Sequence, residues 1–144
     1  MRSFLIINGP NLNLLGTREP SIYGAKTLDD IAEELREWSK VHSVEVSFFQ
    51  SNHEGAIVDA IQGAKGIVDA IVINPGALTH YSIAMRDALI AIETPFVEVH
   101  LSNVYAREEF RHKSVISDVA LGKIVGLGSI GYRLAVEALL ERLG

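Results

Sequence analysis

Residues 70–76 read AIVINPG, a nearly unbroken apolar run that ends in a turn. Apolar residues without alternating polar ones are typical of a strand that is covered on both faces. This pattern predicts a buried strand over Ala70–Asn74. Four other runs, also rich in Ile, Val and Phe, have the same character: Phe4–Asn8, Val44–Phe49, Pro95–His100 and Lys123–Leu127.

Helical patterns lie between these runs. Apolar residues recur every three or four positions in four segments: 28–38, 57–64, 83–92 and 132–143. Thr27 and Asp30 form a plausible capping box before the first of them, with Asp in place of the preferred Glu. The segment 104–121 is less regular, and a short helical turn is predicted at 107–110. Alternating strands and helices indicate right-handed crossovers and a parallel sheet. We therefore predict a single α/β domain over residues 1–144, a three-layer flavodoxin-like sandwich around a five-stranded parallel sheet.

The composition excludes several classes of function. The net charge of −5 argues against a nucleic-acid partner, for which a basic stripe is expected. The absence of cysteine excludes disulfides, thiol nucleophiles and thiolate metal sites. No apolar run reaches the roughly 18 residues of a membrane helix, and the start MRSFLIINGPN is too soon broken for a signal sequence. We expect a cytoplasmic protein that binds neither nucleic acid nor membrane.

Amides, histidines and glycines follow the predicted strands. The loops in question are Asn8–Asn11, Gln50–Asn52, Asn74–Gly76, His100–Asn103 and Gly126–Gly128. In open α/β sheets, ligands bind beyond the carboxyl ends of the strands. These loops favour Asn and His over the usual charged surface residues, which predicts a site at this edge. Loops are polar in most proteins, so an ordinary surface is the alternative.

Three residues near the strand ends are candidates for acid–base or binding roles. Glu98 and His100 lie two apart on one strand, so their side chains share a face, and a carboxylate can fix the tautomer of a histidine. The alternative is a surface pair at a strand end. His80, at the predicted start of the third helix, can bind an anion or a hydroxyl. A metal site of His80 and His100 is disfavoured, because the spacing of metal-binding histidines is missing and no carboxylate lies close to His80 in sequence.

Residues 16–24, GTREPSIYG, contain Arg18 and Tyr23. An adjacent cation favours the ionised form of a phenol, and a phenolate is a competent general base. Without that contact, Tyr23 is an ordinary loop residue. Arg107 and Arg111 can clamp a polar substrate, or they can belong to a solvated face of mixed charge.

Two sequence patterns narrow the chemistry further. Residues 126–131 spell G-x-G-x-x-G, but the following strand and acidic residue of a dinucleotide-binding fingerprint are missing. A tight turn with close helix packing is the favoured interpretation. The absence of a G-x-S-x-G elbow and of cysteine excludes the common hydrolase schemes. What remains is a metal-free site with a Tyr or His base and amide donors, which suits proton abstraction next to a carbonyl.

Taken together, several long segments resemble the type II 3-dehydroquinate dehydratases. They are NGPNLNLLGTREPSIYG, QSNHEG, INPGALTHYSIAMRDAL, VEVHLSN and AREEFRHKS, in this order along the chain. The resemblance implies a flavodoxin-like fold and cofactor-free dehydration of 3-dehydroquinate to 3-dehydroshikimate, in the shikimate route, through an enolate. It also implies trimers that assemble into a dodecamer. The competing hypothesis is a flavodoxin-like binding or signalling module. A receiver domain, however, needs acidic residues after the first strand, where this chain has Asn8 and Asn11.

The resemblance implies a catalytic role for five residues. Tyr23 resembles the base that removes a proton from the carbon beside the ketone, and Arg18 resembles the cation that keeps it ionised. Asn11 is expected to stabilise the enolate oxygen. His100 resembles the acid that protonates the departing hydroxyl, with Glu98 behind it.

The remaining residues implied by the resemblance bind substrate. Asn74, Ser102 and the backbone of Leu101 correspond to the carboxylate site. His80 and Arg111 correspond to the groups that hold the ring hydroxyls. Asp87 is expected to close the site of a neighbouring subunit.

Overall fold

The sheet has five parallel strands in the order β2-β1-β3-β4-β5. The computed structural model describes residues Met1–Gly144. The strands are β1 (Arg2–Asn8), β2 (Val44–Gln50), β3 (Ala70–Asn74), β4 (Phe96–His100) and β5 (Gly122–Val125). Each coincides with a predicted strand to within a few residues, and the predicted α/β fold is confirmed.

The sheet is covered by helices on both faces. The helices are α1 (Pro20–Tyr23), α2 (Leu28–Val41), α3 (Glu54–Ala64), α4 (Ile83–Ile92) and α5 (Ile130–Leu143). Every residue of β3 is buried. Val72 belongs to the apolar cluster beneath α2 and α5, whereas Ile71 and Ile73 belong to the cluster beneath α3 and α4. Apolar residues are therefore needed at successive positions of β3, which explains the unbroken run in its sequence.

The starts of two helices are fixed by side-chain caps. Thr27 Oγ1 accepts a hydrogen bond from the Asp30 N–H (3.1 Å), and the Asp30 carboxylate accepts one from the Thr27 N–H (3.0 Å). This is the predicted capping box at the start of α2. Ser82 caps α4 by accepting a hydrogen bond from the Met85 N–H (3.1 Å).

The cap at Ser82 corrects the expected position of His80. His80 is not at the start of α4, because it ends the 3₁₀ helix Gly76–His80, and α4 begins only at Ile83. The free N–H groups at the start of α4 lie beyond the Ser82 cap and not at His80. In the irregular segment, the helical turn expected at 107–110 occurs at Glu109–Arg111, between two other short 3₁₀ turns.

Close backbone contacts shape the loops at the carboxyl edge of the sheet. The Gly9 N–H donates to the Asn74 carbonyl (2.8 Å), and a Cβ at Gly9 would lie 2.2 Å from the Pro75 carbonyl oxygen. Only glycine fits there. After β5, Gly131 packs against Val99 of β4, and a Cβ on it would lie 3.2 Å from the Val99 side chain. This contact confirms that residues 126–131 form a tight turn with close helix packing.

None of the helices is both long and apolar enough to cross a membrane.

Ser39 provides a test of the core beneath α2. Its hydroxyl is buried and has no hydrogen-bond partner. Removing an unpaired buried polar group recovers its desolvation cost, and alanine is also the better helix former. We expect Ser39→Ala to raise the free energy of unfolding by about 1 kcal/mol. Urea unfolding at one fixed protein concentration measures this change.

Ser82→Ala is the matched control for this experiment. The same change there removes the cap of α4 and a 2.5 Å hydrogen bond to Glu54, and should cost about 1 kcal/mol. A Ser39→Ala protein that is less stable than the parent would contradict the assignment of an unpaired hydroxyl.

Candidate active site

A small polar cavity of about 160 Å³ lies at the carboxyl edge of the sheet. It is bounded by the loops that follow β1, β3 and β4, as the sequence predicted. The predicted site residues that line it are Asn11, Arg18, Tyr23, Asn74, His80, His100, Leu101, Ser102 and Arg111. A larger open groove of about 500 Å³ between α2 and α5 contains no histidine or amide side chain. The acid–base chemistry is therefore concentrated in the smaller cavity.

Tyr23 is held beside two guanidinium groups. Arg18 Nη2 donates to the Tyr23 hydroxyl oxygen at 3.4 Å, and the Arg18 guanidinium lies 4.5 Å from the centre of the ring. The Arg107 guanidinium lies 5.2 Å from the same ring. The phenol of Tyr23 therefore has two positive charges beside it. The sequence left open whether Arg18 and Tyr23 are in contact, and the structure shows that they are.

Arg107 also lines the cavity, although the sequence left it open whether Arg107 clamps a substrate or belongs to a solvated face. In addition to its position at Tyr23, it donates from Nη1 to the Ser102 hydroxyl at 3.2 Å. Its only signal in the sequence is a run of mixed charge, which is more often a solvated face. Arg111, its neighbour in that run, lines the same cavity and donates from Nε to Glu108 at 3.2 Å.

His100 is hydrogen-bonded to the buried carboxylate of Glu98. Its Nε2 lies 2.5 Å from Glu98 Oε2, and Glu98 is fully buried directly beneath the cavity lining. The Glu98 carboxylate also accepts hydrogen bonds from Thr79 (2.7 Å), Ser117 (2.5 Å) and Ser114 (3.1 Å). Burial raises the pKa of Glu98, but the hydrogen bonds and the charge of His100 outweigh it and lower the pKa to about 2.

An ionised Glu98 determines which atom of His100 is available for chemistry. A carboxylate can only accept hydrogen bonds, so His100 Nε2 carries a proton. Nδ1 is left as the ring nitrogen without a partner in the chain. The hydroxyls of Thr79, Ser114 and Ser117 that support Glu98 were missed from the sequence, because they lie in short 3₁₀ turns and loops that are far from Glu98 along the chain and show no pattern.

His80 has a fixed orientation at the rim of the cavity. Its Nδ1 lies 2.8 Å from the Lys113 carbonyl, which requires a proton on Nδ1. Burial lowers the pKa of His80, and the nearby charges of His100 and Arg111 lower it further, against the opposing effect of the Lys113 carbonyl. The neutral ring therefore has Nε2 available as a hydrogen-bond acceptor.

Leu101, Ser102 and Asn74 bring hydrogen-bond donors to the cavity lining. The backbone N–H groups of Leu101 and Ser102 have no acceptor within the chain, although both residues are buried. Unpaired buried N–H groups are costly, and a negatively charged ligand group would satisfy them.

Asn11 has a side chain that is free for a ligand. The residue adopts a left-handed backbone conformation (φ 69°), and its N–H donates to Asn52 Oδ1 at 2.9 Å. Its side-chain amide makes no hydrogen bond within the chain. Asparagine tolerates this conformation better than most residues, so the turn presents an unused amide to the cavity.

Asp87 is the one predicted site residue that lies on the exposed surface, away from the cavity. It is exposed on α4 and does not line the cavity. No three His, Asp or Glu side chains lie close enough together to hold a metal ion.

Comparison with known proteins identifies the family. The family model described as dehydroquinase class II matches residues 2–140. The chain is 57% identical over 144 residues to a 3-dehydroquinate dehydratase of Bacillus subtilis, covering 100% of this chain and 97% of the relative. It is 60% identical over 136 residues to a catabolic 3-dehydroquinase of Penicillium rubens, covering 94% of this chain and 88% of the relative.

A solved structure agrees with these relatives. The crystal structure of a type II dehydroquinase from Butyrivibrio crossotus superposes with a TM-score of 0.95 at 51% identity, covering 96% of this chain and 97% of the other. The chain therefore belongs to the class II dehydroquinase family.

Proposed function

We propose that this protein dehydrates 3-dehydroquinate to 3-dehydroshikimate, as a type II enzyme of the shikimate route. The reaction is the one named for its relative from Bacillus subtilis. One observation carries the proposal: Tyr23 lies beside the guanidiniums of Arg18 and Arg107, in the same small cavity as His100, which is hydrogen-bonded to Glu98. A dehydration next to a ketone needs a base for a carbon-bound proton and an acid for the departing hydroxyl.

The first step is removal of a proton. The Tyr23 phenolate takes a proton from the carbon beside the ketone, and the electron pair of that C–H bond becomes the double bond of an enolate. Arg18 and Arg107 stabilise the phenolate before the transfer. The free amide of Asn11 stabilises the negative charge that develops on the enolate oxygen.

The second step is loss of the hydroxyl. The enolate electrons re-form the ketone and a new carbon–carbon double bond, while the C–O bond breaks. Nδ1 of the His100 imidazolium donates a proton to the departing oxygen, which leaves as water. Glu98 stabilises the imidazolium through Nε2. The proton gained by Tyr23 and the proton lost by His100 balance, and exchange with solvent resets both groups.

Substrate is held at its carboxylate and its hydroxyls. The donors at Asn74, Leu101 and Ser102 suit a carboxylate, because each can point an N–H or O–H at the same anion. His80 and Arg111, which also line the cavity, suit the ring hydroxyls. Since the carboxylate fixes one end of the ring, these two contacts set its rotation.

We also propose that the protein assembles into trimers, and that four trimers form a dodecamer. On α4, exposed Asp87 is flanked by Ile83 (55% exposed) and Ile90 (48% exposed), one turn away on either side. Exposed apolar residues on one helix face are typical of a surface that another chain covers. Asp87 would then reach the cavity of a neighbouring subunit.

The direct test is an assay with purified protein and 3-dehydroquinate, followed by the absorbance of the enone product. We expect turnover without added metal or nucleotide. Tyr23→Phe removes the base and should lower kcat at least about 100-fold. Tyr105→Phe is the matched control, because Tyr105 is exposed and does not line the cavity.

Two outcomes would count against this assignment. A Tyr23→Phe protein with near-parental kcat would remove Tyr23 from the role of base. No turnover by the parent protein would remove the dehydratase itself.

The buried Glu98 carboxylate predicts a pH dependence of stability. Its pKa is about 2 in the folded protein and 4.5 for the free group, so its stabilisation is complete above about pH 5 and is lost as the pH falls toward 2. This loss amounts to at most about 3 kcal/mol. Glu98→Gln lacks this carboxylate and its stabilisation at every pH. The difference in free energy of unfolding between parent and variant should therefore shrink as the pH falls from about 5 to about 2.

Urea unfolding across this pH range measures the convergence. Glu45→Gln, at an exposed position of β2, is the control and should run parallel to the parent. Parallel curves for Glu98→Gln as well would show that Glu98 does not lose its charge in this range.

The assembly is tested by sedimentation. We expect the parent to sediment as a trimer or a dodecamer, and Ile90→Glu to give smaller species, because a charge would be buried at the contact. Ile67→Glu is the control, since Ile67 is 76% exposed and lies in the turn after α3, outside the helix that is proposed to form the contact. A monomeric parent would refute both the assembly and the role of Asp87.

A further inference from the structure

A buried tyrosine lies directly behind the cavity wall. Tyr132, on α5, is 1% exposed, and its hydroxyl contacts the side chains of both Asn8 and Asn74. These two asparagines are register partners at the ends of β1 and β3. Of the three, only Asn74 lines the cavity, so Tyr132 is connected to the site through that residue.

The hydroxyl of Tyr132 orders the hydrogen bonds around it. It has one proton, which it donates to Asn8 Oδ1. Its oxygen must then accept, and it does so from Asn74 Nδ2 at 3.0 Å. On the other side of the Asn74 amide, Oδ1 accepts from the Gly76 N–H at 3.2 Å.

This arrangement fixes the orientation of the Asn74 amide. An asparagine side chain can present either an acceptor oxygen or a donor N–H to a ligand, and the two orientations differ by a rotation about one bond. With Oδ1 bound to Gly76 and one N–H bound to Tyr132, the second N–H of Nδ2 is left for the cavity. Burial raises the pKa of Tyr132, so its proton is retained under all ordinary conditions.

We propose that Tyr132 is a positioning residue for substrate: it holds Asn74 with an N–H toward the cavity, so that the carboxylate meets a donor. An acceptor oxygen in that place would repel a carboxylate beside the N–H groups of Leu101 and Ser102. The inference rests on the proposed function for the identity of the substrate, whereas the hydrogen-bond directions follow from the structure.

The central experiment is Tyr132→Phe, which removes only the hydroxyl. We expect the KM for 3-dehydroquinate to rise about tenfold, as for the loss of one oriented hydrogen bond to a charged group, with kcat within about twofold of the parent. A purely structural hydroxyl would lower the thermal midpoint and leave KM unchanged. An unchanged KM in a folded variant therefore overturns the proposal.

A double-mutant cycle tests whether Tyr132 acts through Asn74. In an Asn74→Ala background, Tyr132→Phe should change KM by less than about twofold, because the group that it orients is gone. Additive effects on KM would show that Tyr132 acts by another route and would overturn the proposal.

A pair of variants at Asn8 gives the same answer if Tyr132→Phe does not fold. Asn8→Ala removes the acceptor of the Tyr132 proton and frees the hydroxyl to donate to Asn74, which should raise KM. Asn8→Asp keeps an acceptor and should restore KM to near the parental value. Equal KM values for the two variants would contradict the proposal. Failure of the proposed function is distinguishable, because the parent itself would then not turn over 3-dehydroquinate.

Discussion

The contact between the ends of β1 and β3 is the constraint on which the site depends. Gly9 donates to the Asn74 carbonyl and lies so close to Pro75 that no side chain fits between them. The end of β1, which leads to Asn11, and the end of β3 at Asn74 are thereby held side by side at the carboxyl edge of the sheet. Because neighbouring parallel strands end at the same edge, this contact fixes the positions of the two strand ends that border the cavity.

The buried carboxylate of Glu98 holds His100 and the segment after β4 in place. An isolated carboxylate with no exposure would be strongly disfavoured, and Glu98 is tolerated because four donors surround it. Two of them, Ser114 and Ser117, come from the irregular segment after β4. That segment has only short 3₁₀ turns, yet it is tied to the sheet through the carboxylate. The acid of the proposed reaction is thus held by the part of the chain with the least regular sequence.

The sequence predicted the sheet and four of the helices well, because hydrophobic periodicity reports burial directly. Thr27 and Asp30 were found as a cap because their spacing has one local meaning. His80 was placed wrongly, since the position of a helix start depended on the Ser82 hydroxyl, which no periodicity reveals. The role of Arg107 was left open, and Thr79 and Tyr132 were not assigned, for a related reason: each acts on a residue far away in sequence, and such contacts leave no local pattern.

The two cations beside Tyr23 differ in their attachment. Arg18 precedes the short helix α1 and Tyr23 ends it, so they belong to one segment, whereas Arg107 belongs to the segment after β4 and is also bound to Ser102. Any displacement of residues 16–24 carries Arg18 along with the phenol and leaves Arg107 behind. Arg18 therefore stays beside the phenol wherever residues 16–24 lie, whereas Arg107 lies beside it only while that segment packs against the segment after β4. Under the proposed function, the full positive charge beside Tyr23 is present only in that arrangement.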